Sequence, residues 1–270
     1  MDNTTSNNKP SGYGQSMPSL FDNNASIVEF NSDNYVNSRF LDKKPSKSHI
    51  PSSPIKPAIS DDKAAKQNKS DLLQKMRNNF ESLLRSTGRD GIDEVITYLL
   101  SSDFFIAPAS TAFHSNYDGG LMWHCLRVYK MACMIREDLL SIDPSLEEYL
   151  PEDSIIIVTL LHDICKADIY QKATRYRKNI RNEWETYETY TPDYSDFPFG
   201  HGEKSVIRLL RLGLHLTRDE MLAIRWHMSA WDLPFQSAEA KSNINEAKTQ
   251  CPLLSLLQAA DGLSSALLEE

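Results

Sequence analysis

Six side chains of metal-ligand type recur along this chain of 270 residues: His124, the adjacent pair His162 and Asp163, His201, His227 and Asp261. Imidazole nitrogens and carboxylate oxygens are ligands for Zn, Mn, Ni and Fe, and the carboxylates serve Mg as well. Six such donors can hold two divalent ions and still leave coordination positions open for water.

Taken singly, a histidine on an apolar helix is more often a packed or hydrogen-bonded core residue than a ligand. The joint pattern changes that reading. His162 and Asp163 end an apolar run at residues 155–161. Asp261 follows Leu256, Leu257, Gln258, Ala259 and Ala260, with no basic residue adjacent. A carboxylate buried in such surroundings is costly unless a cation or a partner compensates it. His124 follows Leu121, Met122 and Trp123, and His227 follows Trp226 at the end of an amphipathic segment. All stand on or beside core-facing surfaces, and a shared metal gives them a common reason.

The elements that must carry these residues are helices. Leu72, Leu73, Met76, Phe80, Leu83 and Leu84 follow helical spacing, with Gly88 as a stop, and Ile92, Val95, Ile96, Leu99 and Leu100 form a second helix. Pro108 and the triplet Asp118, Gly119 and Gly120 mark a loop before a long helix at about 121–140. Residues 152–164 read as a buried helix, although their β-branched run imitates a strand. Residues 170–199 are rich in Tyr, Arg, Thr and Pro, and a partly alternating stretch at 184–190 predicts a small β-hairpin. Gly200 precedes a helix with Val206, Leu209 and Leu210. Thr217 and Glu220 form a capping box for a helix at 218–228, and Pro252 opens a last helix at 253–268. The chain is thus expected to be an all-α bundle over residues 70–270 with a hairpin insert. Residues 1–69, rich in Asn, Ser, Pro, Lys and Asp, are expected to be a disordered arm that can dock a protein partner.

Composition narrows the function. A net charge of −8 excludes an extended duplex nucleic-acid surface but not an anionic substrate held locally. The four cysteines (Cys125, Cys133, Cys165 and Cys251) lack zinc-finger spacing and read as free packing thiols of a reducing compartment. The first ten residues are polar rather than signal-like, and no apolar run reaches the ~20 residues of a membrane span, so the expectation is a cytoplasmic protein without membrane contact.

The segment His162-Asp163-Ile164-Cys165-Lys166, with His124 upstream and Asp261 downstream, resembles the HD-domain superfamily of metal-dependent phosphohydrolases. The resemblance covers about residues 103–261. The stretch 113–124, in which His114 precedes Gly119, Gly120 and His124, resembles the HD domains of bacterial 3′–5′ exoribonucleases. Residues 197–205 and 223–228 resemble motifs of bacterial and phage HD proteins. The resemblance implies that His124, His162, Asp163 and Asp261 are core ligands, with Asp163 bridging two ions, and that His201 and His227 complete a second site. Lys166 and His114 are implied to contact the substrate phosphate or handle protons. A bound divalent metal would lower the pKa of a coordinated water, and two would also neutralise phosphoryl oxygens. Arg175, Arg177, Lys178 and Arg181 can clamp substrate charge or face solvent, and Trp184, Tyr187 and Tyr190 can stack on a base or pack the hairpin. The GYP motif of cyclic-di-GMP phosphodiesterases is absent.

The leading expectation is therefore hydrolysis of a phosphoester in a nucleotide, cyclic nucleotide or short oligonucleotide. Asp163, Lys166 and His114 are the catalytic candidates, and Lys166, His114, Arg175, Arg177 and Arg181 are the candidate substrate contacts. A di-iron oxygenase of the myo-inositol oxygenase type shares the ligand framework, and a non-catalytic nucleotide-binding module is the third alternative. Glu203 reads either as a partner orienting His201 or as a surface ion pair, Asp118 as a turn former, Asp232 as a loop residue or cap, and Asp168 as structural.

Overall fold

The computed structural model describes residues 59–111, 115–229 and 238–268. Eight α-helices follow in chain order among these residues: α1 (Ile59–Ser86), α2 (Ile92–Ser101), α3 (Gly120–Ile142), α4 (Glu152–Leu161), α5 (His201–Arg211), α6 (Arg218–Trp226), α7 (Ala238–Gln250) and α8 (Pro252–Leu263). Strands β1 (Tyr170–Lys178) and β2 (Trp184–Pro192) form one antiparallel hairpin between α4 and α5, in register from Tyr170 opposite Pro192 to Lys178 opposite Trp184. The fold is the expected helical bundle with a hairpin insert. The first helix begins at Ile59, ahead of the start expected near residue 70. The expectation of a disordered, partner-docking arm falls mostly on residues 1–58, which lie outside the described residues.

The centre of the bundle is α4. Every residue from Ser154 to Leu161 is buried. The β-branched residues Ile155, Ile156, Ile157, Val158 and Thr159 carry a helix penalty of a few tenths of a kcal/mol each. Burial on all sides outweighs it, at about 1.5–3 kcal/mol for a fully buried aliphatic side chain. A helix apolar all round belongs inside a layered bundle, and α4 is packed by α3, α1, α6 and α8. The Thr159 hydroxyl donates back to Ile155 O at 2.6 Å, so its polar atom is satisfied without leaving the helix.

Helix α3 packs against α4 on one side and α8 on another. Its start is fixed by glycine. Gly119 has φ 88°, in the left-handed region, and a Cβ on Gly120 would lie 2.0 Å from Ser115 O. The loop before α3 therefore passes too close for any side chain, which sets the depth at which His124 enters the core. Phe80 of α1 meets Phe104 and Phe105 edge to face, each with centroids 5.5 Å apart, and Phe104 and Phe105 meet each other at 5.4 Å.

A buried ion pair joins elements distant in sequence. Glu220, fully buried in α6, accepts from both terminal nitrogens of Arg89, from the Ser154 hydroxyl and from the Thr217 amide. Arg89 also pairs with Asp153 at 2.6 Å, so α4, α6 and the turn before α2 share one guanidinium. The Thr217–Glu220 capping box is present as expected, and its glutamate has this further role. No single helix among the described residues is long and apolar enough to cross a membrane.

Candidate metal centre

The six donor residues converge from five helices. His124 is on α3 and Asp261 on α8. His162 and Asp163 follow the last residue of α4, His201 is the first residue of α5, and His227 follows the last residue of α6. His124, His162, Asp163 and His227 are all buried.

Asp163 is the hub. Its Oδ2 lies 3.4 Å from His162 Nε2, 3.5 Å from His124 Nε2 and 2.7 Å from Lys166 Nζ. Its Oδ1 lies 2.6 Å from His201 Nε2 and 3.7 Å from His227 Nε2. The two oxygens of one carboxylate thus face two different pairs of imidazoles. Asp261 Oδ1 joins the first pair, 3.5 Å from His124 Nε2, while His124 and His162 bring their Nε2 atoms within 3.3 Å of each other. The rings form a chain, with centroids 5.3 Å apart for His124–His162, 4.9 Å for His162–His227 and 5.2 Å for His201–His227.

The separations around Asp163 Oδ2 fit a divalent ion, whereas His201 and Asp163 Oδ1 are joined by a direct hydrogen bond of 2.6 Å. Bonds of about 2.0–2.1 Å to a tetrahedral zinc place neighbouring donors about 3.3–3.4 Å apart, and the first group of donors spans 3.3–3.5 Å. The imidazoles are also oriented for it. A carbonyl can only accept, so His162 Nδ1 must donate to Thr159 O at 2.9 Å and His227 Nδ1 to Ile224 O at 2.7 Å. Both rings then present a bare Nε2 lone pair to the centre, the orientation that backbone acceptors impose on metal-binding histidines. His227 Nε2 is buried and has no hydrogen-bond partner, and the nearest carboxylate oxygen is itself an acceptor. A cation between them satisfies both. The donor sets His124–His162–Asp261 and His162–Asp163–His227 each converge closely enough to share one ion. The cluster matches an HD-type dinuclear metal motif, and its overlapping donor groups suit one or two divalent ions.

Comparison of the chain with family models, curated proteins and solved structures gives no match. The cluster and the helical fold therefore stand on geometry alone.

Burial and neighbouring charges set the protonation of the centre. Burial works against ionised Asp163, but Lys166 and His162 outweigh it and hold the carboxyl well below its usual range. Burial likewise opposes ionised Asp261, which the three nearby histidines nonetheless hold below its ordinary value. Burial pushes His162 down to about 4, so its ring is neutral at physiological pH. Lys166 loses charge stability by burial and regains more from Asp163, so it remains an ammonium. It lines a cleft of ≈ 340 Å³ together with His124, Asp163, His227 and Asp261.

Arg175 and Arg177 lie exposed on β1 and Arg181 in the hairpin turn. Arg177 pairs with Glu185 at 2.7 Å and stacks over Tyr187, and Arg175 approaches Thr191 at 3.5 Å. Trp184 is exposed beneath Lys178, whereas Tyr190 donates to Asp118 and meets Tyr170. His114 and Asp232 lie outside the described residues. Glu203 pairs with Arg225 at 2.7 Å, the surface ion pair of its two readings. Asp118 does more than turn the chain: it accepts from Tyr190 and from Lys172 Nζ at 3.1 Å and so ties the hairpin to the loop before α3. Asp168 is structural, exchanging backbone-to-carboxylate bonds with Asp103.

Cys165 is buried and free, as the sequence reading expects, but it packs beside the donor cluster. Its Sγ lies 3.4 Å from His201 Nδ1 and 3.6 Å from Nε2. The short helical turn Ile164–Lys166 breaks the phase of α4 after Asp163 and swings Cys165 toward α5. Gly202 is a second residue the sequence did not reveal. A Cβ there would meet Arg225 O at 2.2 Å and Ile224 O at 2.8 Å, so its missing side chain lets α5 approach α6 and brings His201 beside His227.

Proposed function

We propose that this protein is a metal-dependent phosphohydrolase that cleaves a phosphoester of a nucleotide, cyclic nucleotide or short oligonucleotide. The observation that carries the reading is the division of Asp163 between two imidazole pairs, with Lys166 beside it at an open cleft. The buried donor cluster is consistent with metal-dependent phosphohydrolase activity.

His124, His162, Asp261 and Asp163 Oδ2 would hold one ion, and Asp163 Oδ1, His201 and His227 a second. Ions so held would supply a coordinated water of lowered pKa and positive charge for phosphoryl oxygens. The protein supplies the rest. The carbonyls of Thr159 and Ile224 lock the imidazoles of His162 and His227 in the ligand tautomer. Lys166 projects its ammonium to the cleft, where it can bind a non-bridging phosphate oxygen and stabilise the charge that develops there. Arg175, Arg177 and Arg181 extend positive charge along the hairpin, suiting a substrate with more than one phosphate, and exposed Trp184 offers a base a stacking face. His114 remains a proposed phosphate contact.

A panel of nucleotides, cyclic nucleotides and short oligonucleotides, screened with Mn, Mg, Ni, Zn and Fe, tests the reading. Wild type should turn over at least one class, and Asp163→Ala should lose both bound metal and turnover. Lys166→Ala should keep its metal and lose about 10²–10³-fold in kcat, the scale of one removed charge-stabilising donor. Undiminished turnover by Asp163→Ala would remove the proposal.

A further inference from the structure

We infer that Cys165 is a ligand of the second ion, giving that site the donor set Asp163, His201, His227 and Cys165 and a preference for thiophilic divalent metals. The inference rests on the metal-site reading above and deepens it.

Three observations carry it. The thiol is buried, and its Sγ, a His201 nitrogen and an Asp163 oxygen all lie within 4.8 Å of one another, a grouping able to hold an ion. The sulfur–nitrogen spacing is that of two ligands on one ion: a tetrahedral zinc with Zn–S about 2.3 Å and Zn–N about 2.0–2.1 Å separates sulfur from nitrogen by about 3.6 Å, while the 2.6 Å hydrogen bond between His201 Nε2 and Asp163 Oδ1 has to open for an ion to enter. The observed distance from Sγ to His201 Nε2 is 3.6 Å. The independent sign that this side of the centre expects an ion is His227 Nε2, buried without a hydrogen-bond partner and directed at the same Asp163 oxygen that His201 approaches.

The chemistry balances without a redox step. Coordination breaks the S–H bond of Cys165, forms a sulfur–metal bond and releases the proton to solvent; a metal-coordinated thiol is deprotonated outright. A soft sulfur donor favours Zn and Co over Mg and Mn, whereas the first site, with only nitrogen and oxygen donors, lacks that bias. The two sites should therefore differ in metal preference.

The test is a titration of the reduced full-length protein with Co(II) under anaerobic conditions. Wild type should bind two ions, one of them with a sulfur-to-cobalt charge-transfer band in the near ultraviolet. Cys165→Ser should lose that band while retaining the first ion, and Cys125→Ser should keep it. Should Cys165→Ser fold poorly, zinc-edge X-ray absorption of the wild type provides the second readout, with one sulfur scatterer at about 2.3 Å. Two ions bound with neither sulfur signal overturn the role of Cys165 and leave the phosphohydrolase proposal standing. Failure to bind any divalent ion overturns both.

Discussion

A single carboxylate organises the centre, and the protonation of its neighbours decides how tightly ions bind. His162 is neutral at physiological pH because burial holds it near 4, so it meets an ion without first losing a proton. His201 differs. Burial alone would lower it, but Cys165 and Asp163 overcome that and raise it to about 10. In the metal-free protein its charge stabilises the fold. That contribution is fully present below the unfolded value of about 6.5 and is lost as pH rises through the folded one. An ion taking this nitrogen must expel its proton, so between these limits affinity should rise about tenfold per pH unit from this group. Calorimetry in buffers of different ionisation heat should record the release, and His201→Gln should release one proton fewer. An unchanged proton count in that variant would exclude His201 as a ligand. The ligands were legible in the sequence because their chemistry is written in residue type and their burial in the apolar neighbours. The carbonyls that fix the tautomers were not, since Thr159 and Ile224 act through the backbone, and Cys165 was not, since a thiol reads as a small hydrophobe until its position is known.

Helices and their contacts set the distances that those donors need. His201 opens α5 and His227 closes α6, so the second site depends on how near the two helices come, and Gly202 sets that limit. The atoms a Cβ would strike are backbone carbonyls, which cannot swing aside as a flexible side chain can. Gly202→Ala should therefore push the helices apart and lower stoichiometry from two ions to one, read by elemental analysis, while His124, His162 and Asp261 keep theirs. Full occupancy would show that the backbone yields. The Arg89–Glu220 pair acts at the same scale. Removing the guanidinium leaves a buried carboxylate uncompensated, and Arg89→Ala should cost about 3–5 kcal/mol in denaturant unfolding; a loss below 1 kcal/mol would mean that water reaches Glu220. Helical spacing made α1 and α2 readable, the Gly119–Gly120 loop marked the start of α3, the Thr217–Glu220 capping box that of α6 and Pro252 that of α8. Helix α7 escaped because only Ile244 and Ala247 are buried in it, too few to impose a period. Strand β1 was expected only as the unplaced partner in the hairpin, because Lys172, Arg175, Arg177 and Lys178 place charge on both faces and leave alternation visible only in β2.

At the scale of the molecule, the centre is a weakness that cations correct. The core around α4 is apolar and continuous, so the bundle has a hydrophobic reason to fold without ions. Yet at its heart two carboxylates, four imidazoles and one ammonium are drawn together, and His227 Nε2 stays unsatisfied. Ions that bind only the folded chain add RT ln(1 + [L]/Kd) of stability, about 2.7 kcal/mol at a hundredfold excess over Kd. For a domain of about 200 residues each kcal/mol moves Tm by about 2–4 °C, so saturation at one such site should raise it by about 5–10 °C. Chelation should reverse the gain and leave a folded, helical protein, since the apolar contacts of α3, α4 and α8 need no metal. Asp163→Asn separates this account from nonspecific ion effects, because it removes the bridging charge while keeping the volume. Its Tm should scarcely respond to Zn or Co, whereas a wild-type response that survived in the variant would place the ion elsewhere. A wild-type Tm indifferent to every divalent ion would mean that the charges at the heart of the bundle already satisfy one another, with Lys166 sufficing as counter-ion to Asp163.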